Sequence, residues 1–111
     1  MSKKPRWKIK FEVLTDRCTR NRASLRRIQD ARNDVIVSLQ QARERLKTIR
    51  QGPYSGADVD QKKTEVRIRE LEEEFREFEV SLKEASEKQS RDSRLWNACA
   101  DFLRSKGKTT E

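Results

Sequence analysis

The sequence predicts an all-α fold, an antiparallel two-helix coiled-coil hairpin. Three observations predict it: two heptad ladders, one segment between them that holds both Gly and Pro, and a 41% content of charged residues. On the first half Trp7, Phe11, Leu14, Cys18, Asn21, Leu25, Ile28, Arg32, Val35, Leu39, Ala42, Leu46 and Ile49 step by alternating threes and fours. On the second, Gln61, Thr64, Ile68, Leu71, Phe75, Phe78, Leu82, Ala85, Gln89, Asp92, Trp96, Cys99 and Leu103 do the same. That spacing is the seam of a coiled coil. Of these 26 positions 20 are apolar, against 32% of the chain, so the pattern is not a by-product of composition. A charge content this high reads as solvated helices or as disorder, and the regular ladder decides for helices.

The elements follow in order from local chemistry. Residues 1–5 form a flexible, basic N-terminus, and Pro5 suits a first helical turn, where its missing N–H costs nothing. Helix 1 covers 6–51. Gly52 supplies a left-handed C-terminal cap and Pro53 bars continuation, which opens a turn over 52–57. Ser55 with Asp58 three residues on has the pattern of a capping box, so helix 2 covers 58–105. Asp58 and Asp60 then lie in its first turn, where carboxylates suit the helix dipole. Glu65–Arg69, Glu72–Arg76, Glu79–Lys83, Glu84–Lys88 and Glu87–Arg91 place acid before base at i, i+4, each adding a few tenths of a kcal/mol. Gly107 marks the end of helix 2, and 106–111 form a flexible tail.

The register follows from the ladders. In an antiparallel pair an a position faces a d position, so facing residue numbers sum to a constant. A sum of 110 centres the turn on Ser55, whereas the neighbouring solutions centre it inside a helix. This register pairs Trp7 with Leu103, Phe11 with Cys99, Leu14 with Trp96, Leu25 with Ala85, Ile28 with Leu82, Val35 with Phe75 and Leu39 with Leu71. It also sets Asn21 against Gln89 and Cys18 against Asp92. Buried polar pairs of this kind cost stability and fix alignment. Arg32 falls opposite Phe78, where it either lies over the ring or snorkels outward.

One chain of 111 residues makes one structural unit here, and a two-helix hairpin buries a stripe rather than a three-dimensional core. Dimerisation into a four-helix bundle would widen that core, so a homo-oligomer is expected. No apolar run approaches the roughly 18 residues of a membrane span. The charged opening residues match no signal-peptide pattern. Cys18 and Cys99 lie about two turns apart, roughly 10 Å, too far for an intrachain disulfide. They read as reduced core residues, and the expected compartment is cytoplasmic. Lys3-Lys4-Pro5-Arg6 leaves a nuclear address open.

The chain is not expected to be an enzyme. It has no histidine, no Gly-rich phosphate loop, no paired-cysteine metal spacing and no nucleophile elbow. No catalytic residue, cofactor, metal or small-molecule substrate is assigned.

Charge points to partners. The net charge is +8, but residues 1–51 carry 15 basic and 5 acidic side chains while 52–111 carry 12 and 14. The basic surface is assigned to Arg17, Arg20, Arg22, Arg26, Arg27, Arg91 and Arg94, near the open end of the hairpin. Glu70, Glu72, Glu73, Glu74, Glu77 and Glu79 make the middle of helix 2 acidic, with Arg32 the one base in the facing segment 31–40. Such a basic end suits either an acidic protein surface or nucleic-acid phosphates. Trp7 and Phe11 lie on the seam, so no stacking platform for single strands is evident.

Some apolar residues fall off the seam. Val59, Val66 and Val80 sit at the outermost heptad position, and Ile36 and Val37 interrupt the polar face of helix 1. Near the open end Ile9, Val13, Leu95, Ala98 and Phe102 flank the tryptophan layers, and these five are the expected apolar partner-binding residues. Tyr54, between Gly52-Pro53 and Gly56, is a second candidate contact at the tip. The expected function is a non-enzymatic coiled-coil interaction or assembly module, an adaptor, stalk or accessory protein. It would bind a protein partner through its basic, partly apolar open end. The alternative is a sequence-nonspecific nucleic-acid-binding accessory protein that uses the arginine-rich first helix. The bare architecture is similar to that of secretion-system stalk proteins, prefoldin-like chaperones and the tRNA-binding arm of some synthetases.

Overall fold

In the computed structural model, which describes residues 4–52 and 54–108, the chain is a helical hairpin with no strand among the described residues. Helix α1 spans Arg6–Gln51 and α2 spans Ala57–Ser105. The roles expected of Lys3, Pro53 and the flexible ends 1–3 and 109–111 fall outside the described residues.

The helix ends show which local signals won. The Pro5 carbonyl accepts the Lys8 and Ile9 amides at 3.0 and 3.2 Å and so starts α1. Gly52 does not adopt the left-handed conformation expected of it; its amide bonds to Thr48 O at 3.2 Å and prolongs the α pattern. The positive φ falls on Gly56 instead, at 86°. The Gly56 carbonyl accepts the Asp60 amide at 3.1 Å, so this glycine holds the N-cap position. The Ser55–Asp58 capping box therefore does not form, and α2 opens at Ala57 rather than at 58. At the other end Gly107 has φ 74°, its amide reaching Arg104 O at 3.0 Å while the Lys108 amide reaches Leu103 O at 2.9 Å. That pair is a Schellman cap, which satisfies two orphan carbonyls. Residues 106–108 are thus tied to α2 rather than flexible.

Contacts divide the chain into two compact units. In the turn unit, Arg27–Leu82, the core is Val35, Leu39, Ala42, Ile68 and Leu71, with Leu46, Phe75 and Phe78 packed on it. Val35/Phe75, Leu39/Leu71 and Ala42/Ile68 each sum to 110, as the register requires. Arg32 takes the outward alternative: its Nη1 meets Glu79 Oε1 at 2.8 Å, while its Nε is buried without a hydrogen-bond partner. Glu65 likewise engages across the hairpin, with Arg50 at 3.3 Å. None of the five i, i+4 pairs expected on α2 closes as a salt bridge; two of their acids are drawn to the facing helix, where a long arginine reaches them.

In the terminal unit, which joins the chain up to Arg26 with the chain from Lys83, the core is Phe11, Ala100 and Leu103. Trp7, Trp96 and Cys99 pack on it, and the Phe11 and Trp96 rings lie 5.4 Å apart with a 34° tilt. The Trp96 indole donates to Thr15 Oγ1 at 2.8 Å, and that hydroxyl donates to Phe11 O at 2.9 Å. A polar layer follows. Cys18 Sγ meets the main-chain oxygen of Asp92 at 3.5 Å, again a sum of 110. Asn21 does not pair with Gln89, as the register alone suggests. Its Nδ2 donates to Asp92 Oδ2 at 2.6 Å, and Arg17 Nε completes that carboxylate at 3.2 Å. A charged acceptor wins the amide because charge-assisted bonds are about twice as strong as neutral ones.

Candidate docking groove in the terminal unit

Beside the seam of the terminal unit runs an apolar groove of about 520 Å³. Its floor is seam: Trp7, Phe11 and Leu14 from α1, Cys99 and Leu103 from α2. Its walls come from one row further out. Counting heptads from the seam, Lys10, Val13 and Arg17 occupy g, c and g on α1, and Leu95, Ala98 and Phe102 occupy g, c and g on α2. Two helices bury a and d positions against each other and leave c and g open on one flank. Phe102 is therefore 60% exposed, Val13 58% and Leu95 47%, although all are apolar. Four of the five expected partner-binding residues, Val13, Leu95, Ala98 and Phe102, are thus brought together. Ile9, at f one turn before Val13, is exposed but does not line the groove.

Every charged residue lining the groove is a cation, Lys10 or Arg17. Arg17 is shared with the buried carboxylate of Asp92. Two more cations stand over rings that line the groove: Lys106 Nζ lies 5.6 Å from the Phe102 ring centre, and Lys108 Nζ lies 5.1 Å from that of Trp7. Lys108 is placed there by the Schellman cap at Gly107, a link that the sequence pattern did not show. At exposed sites such cation–π contacts contribute about 0.5–1 kcal/mol each. No acid pairs with Lys10, Lys106 or Lys108 among the described residues.

The expected basic surface divides. Arg20 at c continues the groove side of α1, and Arg91 at c continues it on α2; their numbers sum to 111, which sets them across from each other. Both are exposed and neither has a salt-bridge partner among the described residues. Arg22 and Arg26, at e and b, lie on the opposite flank of α1. Arg94 donates its Nε to Ser90 O at 3.3 Å. Arg27 is exposed and belongs to the turn unit.

Elsewhere the signals are weaker. Val37, Val59, Val66 and Val80 are exposed singly, and Ile36 is half-buried against a mixed polar hollow with Leu39 and Phe75. Tyr54 is half exposed at the tip, its hydroxyl donating to Asp60. That bond holds the Tyr54 phenol above its ordinary value of 10.0. Cys18 is buried and Cys99 half-buried, and both are free thiols. No cluster of three or more metal-ligating side chains forms among the described residues, and no helix is long and apolar enough to cross a membrane.

No protein-family model, curated protein or solved structure matches this chain, so its functional reading stands on its own geometry.

Proposed function

We propose that the chain is a non-enzymatic coiled-coil interaction module, which joins an assembly by docking a protein partner in the groove of its terminal unit. The observation that carries this reading is the contiguous exposure of Val13, Leu95, Ala98 and Phe102 along a concave floor of seam residues. Scattered surface hydrophobes are ordinary, whereas four converging on one groove mark a contact. The free thiols suit a reducing, cytoplasm-like compartment.

Replacing Leu95 and Phe102 together by Glu leaves both seams intact, so helicity by circular dichroism should not change. Association should be lost, read as the set of proteins retained by the chain from its own cells. Identical behaviour of the double variant and the parent would sink the reading. A second reading is favoured by Arg20, Arg22, Arg26 and Arg91, which stand exposed without salt bridges among the described residues. It is phosphate contact with nucleic acid. Its test is duplex binding titrated with salt, in which four Ala substitutions there should lower affinity and flatten the slope.

A further inference from the structure

We infer that the occupant of the groove is an acidic amphipathic helix of a partner protein, laid along the g and c rows of both helices. The inference rests on the docking reading above and names the chemistry of the partner. The groove sets its shape. Leu95, Ala98 and Phe102 follow one another at three and four residues on α2, and Val13 faces them from α1, so the walls present ridges at helical spacing. A helix whose apolar residues recur by threes and fours fits such ridges; a flat surface does not.

Charge sets its composition. Lys10 lines the groove, Lys106 and Lys108 stand over the Phe102 and Trp7 rings that line it, and none of the three has an acidic partner among the described residues. Beyond the other end, Arg20 and Arg91 stand exposed at the same level of that flank, two cations that a carboxylate of the partner would meet. Polar rims of this kind select partners more than they add affinity. The floor accepts Leu-like side chains; the rim asks for Glu or Asp beside them.

A second copy fits less well. Groove against groove sets the lysines of one copy against those of the other. The acidic segment of α2 spends Ile68, Leu71, Phe75 and Phe78 on its own seam, and its outer face offers only valines well separated along the helix. Neither arrangement supplies apolar residues and carboxylates together.

The test uses the full chain carrying Trp96→Phe, so that Trp7, on the groove floor, is the sole indole. The probe is a synthetic helical peptide of about five turns. It carries Leu at alternating threes and fours and Glu elsewhere, and is compared with its twin in which Lys replaces every Glu. The acidic peptide should shift Trp7 emission and bind roughly tenfold tighter than the basic one. Arg20→Glu with Arg91→Glu, both on exposed positions, should narrow or reverse that preference. Equal binding of the two peptides overturns the inference. So does an emission shift that follows protein concentration without peptide, which would make the occupant a second copy. Tighter binding to vesicles of anionic lipid than to the acidic peptide overturns it in favour of a membrane surface. If neither peptide binds while Leu95→Glu with Phe102→Glu still abolishes association, the acidic helix falls and the docking surface stands. If that double variant changes nothing, both fall.

Discussion

Asp92 is the residue on which the terminal unit turns, because its buried carboxylate is shared by Asn21 and Arg17. Asp92→Ala leaves the Asn21 amide buried without its acceptor, which should cost about 1–3 kcal/mol. Asn21→Leu combined with Asp92→Leu replaces the pair with apolar groups and should recover most of that loss, since matched apolar replacement is often neutral or stabilising. Urea unfolding of the three proteins measures it; a double variant as unstable as the single one would refute the coupling. At the tip, the sole tyrosine gives an unambiguous signal. Hydrogen bonding to Asp60 keeps the Tyr54 phenol protonated beyond 10.0, so the contact persists below that pH and is lost as pH rises through the raised value. Phenolate absorbance should show the midpoint above 10.0, returning to it in Asp60→Ala. Glu65 has the opposite sign. The Gln61 amide, and then Arg50, hold its carboxyl below 4.5, so its contacts persist above that pH and are lost as pH falls through the lowered value.

At the scale of the element, the three glycines separate cleanly. Gly56 and Gly107 have positive φ, and an L side chain there is strained. Gly107→Ala should therefore cost on the order of 1 kcal/mol, loosen the Schellman turn and release Lys108 from Trp7, visible as a change in Trp7 emission in the Trp96→Phe background. Gly52→Ala meets only ordinary contact with Thr48 O and should cost little in thermal unfolding. In the turn unit, Leu71 is the deepest residue of the cluster. Leu71→Ala should cost about 2–5 kcal/mol, and retention of parental stability would mean that the cluster is not the source of cohesion. The heptad ladders made these seams legible: none of the 26 positions is exposed. Ala100 was missed, although it is only 1% exposed, because it sits at e and is covered through the bulk of Phe11 and Leu103 rather than by its own periodicity. Caps and ion pairs were less legible. Spacing counts residues along one helix, whereas Arg50 and Arg32 choose acids across two.

For the whole molecule, the fold class was readable because a period of seven leaves few alternatives once a single turn segment is found. The flank carrying the groove was half readable. Leu95 and Phe102 announced themselves as apolar residues off the seam, but the lysines that close over Phe102 and Trp7 come from beyond the last heptad residue, where no pattern runs. The basic surface looked continuous in sequence and is divided, since arginines two and six residues apart fall on different flanks of a helix. The register can be checked in a background of Cys18→Ala and Cys99→Ala. Ile28→Cys with Leu82→Cys should cross-link within one chain, and Ile28→Cys with Phe75→Cys should not; the reverse result would shift the register by a full heptad.

The indole of Trp96 is bonded to Thr15 on the facing helix, and Thr15 is bonded in turn to its own backbone. Solvent hydrogen reaches that indole only when the bond across the two helices breaks. Its deuterium exchange is therefore a clock for the parting of α1 from α2 in the terminal unit. A partner seated in the groove should slow that clock without touching Trp96 itself, which turns a half-buried hydrogen bond between the helices into a remote gauge of occupancy.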